Sequence, residues 1–543
     1  MSGNQDLEIK QNNFSYNLIL FLVIIGVVLF CFYPIYKIIV TSFFDNNSFT
    51  LKFYKGIFNE NYLLLKNSMI TSSISAGIAS IFGGIIAYYM LFSSERVRKF
   101  YYYLLMLTMI SPPFIFGISY IMLFGRRGLI TYRILGLHTN PYGLKGIVML
   151  QLIGEISFAT FMLYEIFKNF DYTLINASRA LGASPWESLK RVVFPISVPA
   201  FLGTFFILFT KNLSDFGSAI IIGGRESTLA TEAYLTVIGE GNMPKAAAMT
   251  LLLIFPALLA FLLYKRILLK KFSSFSVGKG MESKNISYSL PFGVKILFKV
   301  VAYLFVLVMF IQYSAIFFSG FYNYTSKGIE FTLEYIEKFK LSSTRVFLRT
   351  IVYAFISGAI SSTIGILISY YNRERNSYFF KGIEFLGGLP YIIPGTFFGL
   401  GYILAFNSGI FTLTGTATIV ILNCAFRQIS IGIKAGDSIF STLNPNIEKA
   451  GRDLGASKMR ILLDIIFPLL KPAFLISFVN CFIATMTTIG AIIFLVSPGN
   501  NVATIMLFTQ VAQGEYGAAS ITALAITFIT FSLNIFVAKV LKK

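Results

Sequence analysis

Apolar residues in this chain come in long blocks separated by short polar connections. With a window of about 19 residues, the blocks fall near 17–40, 66–92, 101–124, 144–167, 197–222 and 247–268, then near 293–318, 346–371, 380–406, 412–435, 469–496 and 518–540. Each has a length on the order of the 20 residues a helix needs to cross the hydrocarbon core of a bilayer. The pattern predicts an all-α membrane protein of about twelve transmembrane helices. The polar N-terminal stretch before the first block lacks the basic region and small-residue cleavage site of a removable leader, so that block is expected to be kept as a span.

Composition agrees. Of 543 residues, 56% are hydrophobic and only 13% charged, where a soluble chain carries about 25% charged residues. A net charge of +21 would suggest a nucleic-acid partner if it formed one basic face, but the lysines and arginines sit in connections between apolar blocks, as the positive-inside rule requires. No nucleic-acid role is expected. Cys31, Cys424 and Cys481 lie inside apolar runs and read as packing residues. The lone His138 offers no basis for a metal or catalytic cluster, so none is expected.

The strongest basic bias is the polar stretch between the sixth and seventh blocks, with Lys265, Arg266, Lys270, Lys271, Lys279, Lys284, Lys295 and Lys299 against Glu282. That places it in the cytoplasm, and six spans on either side then place both termini there too. Arg126, Arg127 and Arg133, in a loop this topology puts outside, run against the trend.

The chain also repeats itself. Residues 182–195 read GASPWESLKRVVFP and residues 455–468 read GASKMRILLDIIFP, an offset of 273. The same offset carries Gly217 onto Gly490, Thr231 onto Thr504, Gly241 onto Gly514 and Ala246 onto Ala519. Upstream the register slips by a few residues, since Tyr120 to Phe124 best matches Tyr402 to Phe406, which marks a small insertion. Self-similarity at a held offset is the signature of an internal duplication. The expected organisation is a first half at 1–268, a basic cytoplasmic linker at 269–292, and a second half at 293–543. An even number of spans per half makes these two tandem six-helix repeats of the same orientation.

In each half the repeated motif follows the fourth span, in loops at 170–196 and 436–468, and so belongs on the cytoplasmic face. The first copy runs Asn176-Ala177-Ser178-Arg179-Ala180-Leu181-Gly182-Ala183, the second Lys449-Ala450-Gly451-Arg452-Asp453-Leu454-Gly455-Ala456. Small residues, then Arg, then Leu-Gly describe a short helix with a thin side that a glycine ends. A second amphipathic helix leads to Pro195 or Pro468, where the next span can begin.

These loops resemble the hallmark of the binding-protein-dependent ABC transporter permeases: Glu-Ala-Ala, three residues, Gly, then nine residues to an Ile-x-Leu-Pro. The Gly-to-Pro spacing matches in both copies; the acidic position is Asn176 in one and Lys449 in the other. The fused arrangement looks most like the iron(III)-type permeases, with the thiamine-type next. The resemblance implies that each loop is a coupling helix docking on a cytoplasmic ATPase, with Ala177, Ser178, Arg179, Gly182, Ala183 and Pro195 in one copy and Ala450, Gly451, Arg452, Gly455, Ala456 and Pro468 in the other. Arg179 and Arg452 could then supply charge-assisted hydrogen bonds to that partner in place of the missing acid. It implies as partners two copies of the ATPase, a solute-binding protein and membrane lipid, and a location in the bacterial inner membrane. No Walker-type phosphate loop occurs, so the chain is expected to be no enzyme and to hold no cofactor, ATP being bound by the partner subunits. Iron is the cargo the resemblance favours; thiamine or a polyamine are alternatives. An ion-coupled secondary transporter would also have twelve spans in two halves, but has no use for a paired cytoplasmic motif.

Polar residues at membrane depth mark a candidate path. Glu155 and Arg427 stand at nearly equivalent places in opposite halves and could pair across a central axis; Lys211 and Asp215 are the other two charges. Gly217 and Gly490 could break the fifth span of each half. Ser111-Pro112-Pro113 and Leu389-Pro390 through Pro394-Gly395 resemble elements of the same family that kink the third spans.

Overall fold

The computed structural model describes residues 2–45, 48–170, 173–275, 290–325, 328–409, 412–444 and 446–542. Most of the basic linker expected at 269–292 lies outside them. Among the described residues ten helices are long and apolar enough to cross a membrane, and up to twelve if each sharply bent pair counts as one span. The first half supplies Phe14–Phe43, Tyr62–Leu91, Glu95–Ile110 with Phe114–Phe124, Leu144–Lys168, Phe194–Leu213 with Gly217–Ile222, and Met243–Phe275. The second supplies Phe292–Phe321, Thr344–Arg375, Tyr378–Ile392 with Gly395–Phe406, Ala417–Phe440, Lys471–Thr487 and Tyr516–Lys542.

Four spans are interrupted where the sequence removes backbone donors or side-chain bulk. Both third spans, the first and second half's alike, break at proline, between Ile110 and Phe114 and between Ile392 and Gly395, because proline has no amide to donate and its ring clashes with the preceding turn. The fifth span of the first half breaks between Leu213 and Gly217, while that of the second is helical only to Thr487 and runs on without helix to Val502. The expected continuous spans at 197–222 and 469–496 are thus shorter helices followed by irregular chain. Such backbone is tolerated at membrane depth only where protein or a cavity surrounds it.

The compact units are not the two halves of the sequence. One comprises Leu51–Ser342 and Leu507–Thr527; the other comprises Met1–Thr50, Ser343–Met506 and Phe528–Lys543. The first span therefore packs with helices of the second half, and the seventh span with helices of the first. Local chemistry explains the first of these. Pro34 cannot supply the amide that the Phe30 carbonyl would take from the residue four positions on, and the Tyr402 hydroxyl donates to that carbonyl at 2.9 Å. A Cβ on Gly401 would lie 2.8 Å from the Pro34 carbonyl oxygen, so only glycine admits the approach. Lower on the same span, Tyr16 meets Tyr371 edge to face and donates to Glu374. In the other unit, Tyr313 of the seventh span meets the Ser111 hydroxyl at 2.7 Å, at the proline break of the third span.

Each unit is organised on one close helix crossing. The spans Tyr62–Leu91 and Leu144–Lys168 meet at Gly83, where a Cβ would fall 2.5 Å from Ala159 Cβ and 2.8 Å from the Thr160 amide nitrogen. In the other unit Thr344–Arg375 meets Ala417–Phe440 at Gly365, where a Cβ would fall 2.7 Å from the Ile429 carbonyl oxygen and 2.8 Å from Gly432 Cα. Gly365 is the repeat partner of Gly83, and Gly432 that of Ala159. Between apolar helices in lipid, such small-residue fit supplies the contact that hydrophobicity alone cannot.

Candidate functional site

The two repeated loops share one backbone construction. Thr173–Ala180 and Asn446–Asp453 are short helices. Both end in the same pair of hydrogen bonds: Gly182 and Ala183 donate to the Arg179 and Ser178 carbonyls at 3.0 and 3.1 Å, and Gly455 and Ala456 to the Arg452 and Gly451 carbonyls at 2.9 and 3.0 Å. This is the Schellman arrangement, which places the glycine in a left-handed conformation, and φ is +87° at Gly182 and +80° at Gly455. A Cβ on either glycine would meet nothing within 4 Å. Both are therefore required by backbone conformation rather than by crowding inside the chain.

Two residues on, Ser184 and Ser457 start the next helix. Each hydroxyl accepts from the backbone of the third residue of the new helix, Glu187 at 3.2 Å and Arg460 at 3.3 Å. In the first copy the Ser184 amide also donates to the Glu187 carboxylate at 2.8 Å, completing a capping box. Gly-Ala-Ser is thus a stop signal and a start signal one residue apart.

The thin side of the first helix is used as its small residues suggest, by different means in the two copies. Ser178 and Ser188 share a hydroxyl hydrogen bond at 2.8 Å. Their repeat partners are Gly451 and Ile461, and there a Cβ on glycine would stand 3.2 Å from Ile461 and Ile465 side-chain carbons. A polar tie in one copy is replaced by apolar contact in the other. Ala177 and Ala450 lie exposed on the outer side, Ala183 and Ala456 are half-buried in the turn, and Pro195 and Pro468 stand exposed at the far end of the second helix.

Both arginines also make contacts inside the chain while remaining exposed. Arg179 donates to the Ala183 carbonyl of its own turn. Arg452 lies 3.8 Å from Glu374 and 3.9 Å from Glu448. Glu374, at the end of Thr344–Arg375, also holds Lys458 at 3.1 Å and accepts from Tyr16. These contacts brace the second loop against two spans of its unit.

The loops also present leucine. Leu181 is 89% exposed and Leu454 88% exposed, each immediately before the glycine. Trp186 is exposed beside the first. Sequence reasoning passed over both leucines and both capping serines, although the repeated Leu-Gly-Ala-Ser carried them in plain view.

The charges at membrane depth find partners within their own halves. Buried Glu155 is ion-paired with Lys211 at 3.0 Å. Asp215 accepts from Gln151 at 3.2 Å and from the Ser218 amide at 3.1 Å, capping the helix that resumes at Gly217. Gly217 lets that helix approach Phe114, from which a Cβ would be 2.9 Å away. Arg427 donates to Thr488 at 3.2 Å, next to Ile489 and Gly490 in the irregular stretch that follows the fifth span of the second half. Among the described residues no group of three His, Cys, Asp or Glu side chains is placed to hold a metal ion.

Helices of this length, duplicated and each carrying the same exposed cap-to-cap loop, define a transport permease. Residues 79–271 and 361–542 match the family described as binding-protein-dependent transport system inner membrane component, and the chain belongs to it. It is a multi-pass inner-membrane protein. Over 514 residues it is 29% identical to the ferric transport system permease protein FbpB of Actinobacillus pleuropneumoniae, covering 92% of this chain and 74% of that one. Over 495 residues it is 28% identical to ferric transport system permease protein FbpB 1 of Haemophilus influenzae, covering 88% and 78%. A shorter match, 23% over 233 residues and 41% of this chain, is to the spermidine/putrescine transport system permease protein PotC of Escherichia coli.

Proposed function

We propose that this chain is the membrane subunit of an ABC importer that takes iron(III) from an external binding protein into the cytoplasm, driven by two cytoplasmic ATPase subunits that bind the ATP. The observation that carries this reading is the pair of loops with the same Schellman turn, the same serine start and the same exposed leucine. An 88–89% exposed leucine held on a rigid turn is a poor surface residue and a good anchor for a partner's apolar groove. Two matched anchors call for two copies of one partner. The basic connections favour the loops and both termini on the cytoplasmic side. The cargo reading rests on relatives named for ferric transport that match nearly the whole chain, while the polyamine relative matches less than half of it.

The test is reconstitution of the chain with the ATPase and binding protein encoded beside it. ATP-dependent radioiron uptake into proteoliposomes, lost on omitting either partner, is the expected result. Uptake driven by an ion gradient without ATP overturns the importer reading. ATP-dependent uptake of a polyamine but not iron overturns only the cargo.

A further inference from the structure

At the proline break in the third span of the second half, a guanidinium meets the start of a helix. Arg427 stands near the middle of the 24-residue span Ala417–Phe440. Its guanidinium lies against Gly395, where a Cβ would fall 2.9 Å from Nη2 and 3.1 Å from Cζ and Nη1. Gly395 opens the 12-residue helix that resumes after the break. The first amides of that helix, those of Gly395, Thr396 and Phe397, find no acceptor among the described residues; Phe398 is the first to do so, donating to the Pro394 carbonyl at 3.0 Å. Unmet amides give a helix start a partial positive charge, which anions stabilise and cations oppose. Here a cation stands in that place.

The surroundings do not neutralise it. Arg427 donates to the Thr488 hydroxyl at 3.2 Å, and its Nε is enclosed without an acceptor among the described residues. The ionisable groups near enough to act on it are Cys424 and Tyr391, neither of them a carboxylate. Two further side chains at the break are unmet. Thr396, next to Gly395, is 1% exposed and its hydroxyl has no partner among the described residues; Asn423, one turn before Arg427 on the same helix face, is fully buried and both its amide atoms lack one. Lys434, two turns on along that face, adds a second cation, set over the Tyr391 ring at 5.5 Å. The duplication shows what is missing. The repeat partner of Thr488 is Asp215, and that of Gln428 is Glu155. The first half carries two carboxylates where the second carries a hydroxyl and an amide.

We infer that this break binds a small oxyanion, a single carboxylate or phosphate group held between the Arg427 guanidinium and the helix start at Gly395. A guanidinium donates in parallel to two oxygens of such a group, helix-start amides are a ready second support, and Thr396, Thr488 and Asn423 offer further donors. Interrupted transmembrane helices present their starts to anionic groups in this way. A cation would bring more positive charge with no carboxylate to hold it. An apolar ligand would strand the guanidinium donors away from water. A lipid phosphate stays at the bilayer surface, on the order of 15 Å from this depth, so the oxyanion is a free solute or a group on the transported molecule. The inference concerns binding at this site, and failure of ATP-driven iron uptake would leave it standing.

The experiment is thermal unfolding of the purified full-length chain in neutral detergent, titrated with sodium phosphate, sodium acetate, citrate and ferric citrate against sodium chloride at matched ionic strength. Expected is a saturable rise in melting temperature beyond that in chloride, as a ligand of the folded state produces. Arg427→Gln should weaken the apparent affinity by about tenfold or more and Arg427→Lys by less. Lys55→Gln, an exposed cation of the other unit, should change nothing. Thr488→Asp restores the carboxylate of the first half, so it should melt above wild type in chloride and lose the response to oxyanions. No saturable response of the wild-type chain to any of the four salts overturns the inference. So does an equal loss in Lys55→Gln, which would mean a diffuse field, and so does a Thr488→Asp chain that responds in full. The arms separate the sources: a response to phosphate and acetate supports a free anion, and a response to ferric citrate without one to the three iron-free salts supports a group on the cargo.

Discussion

Replacing Gly182 with alanine isolates a single backbone effect. At φ +87° an L side chain costs about 1–2 kcal/mol through its Cβ against the following carbonyl. The structure supplies no second penalty, because a Cβ there meets nothing within 4 Å. A cost of that size shifts the closed turn by a factor of about 5–30. Hydrogen exchange at the Ala183 amide, which donates to the Ser178 carbonyl at 3.1 Å, should accelerate by that factor, and the same should hold at Ala456 for Gly455→Ala. Asparagine tolerates positive φ better than alanine and should recover part of the protection, while β-branched valine should lose more. Unchanged exchange in the alanine and valine variants would refute the conformational account. If ATPase stimulation fell equally for asparagine and valine while exchange still ranked them, crowding by the docked partner, and not φ, would be what the glycine answers to.

Other substitutions follow from the same geometry. Leu181→Ala with Leu454→Ala removes exposed side chains, so the melting temperature should move little, within about 0.5 kcal/mol in stability, while ATP-driven transport falls; normal transport would remove the leucines from the docking surface. Gly365→Leu must push apart backbones 2.7–2.8 Å from its Cβ and should cost at least about 1–3 kcal/mol, read as a lower melting point by size-exclusion after heating; a stability equal to wild type would contradict the close crossing. Lys211→Met strands the buried Glu155 carboxylate, so the double variant with Glu155→Gln should be more stable than Lys211→Met alone, and a double variant less stable than either single would show that the 3.0 Å pair is not coupled in this way. Glu374→Gln should loosen the second loop through Lys458, Arg452 and Tyr16, seen as faster exchange over 446–460 but not over 173–188.

Much of this protein could be read without coordinates. Span number, the duplication and the Gly-Ala-Ser loops were legible because each rests on local physics: a helix satisfies its own backbone in lipid, and helix ends are signalled by nearby residues. The prolines at the third spans likewise announced breaks that were found. What the sequence left undecided was which helix stands beside which. Apolar side chains are equally content against lipid or protein, so association turns on close fit at Gly83, Gly365 and Gly401 and on single hydroxyls such as Tyr402. Only the tertiary structure could therefore exchange the first and seventh spans between the two compact units, close Arg179 onto its own turn, set Arg452 beside Glu374 and Glu448, give Glu155 the ion pair with Lys211, and lay Arg427 against Gly395.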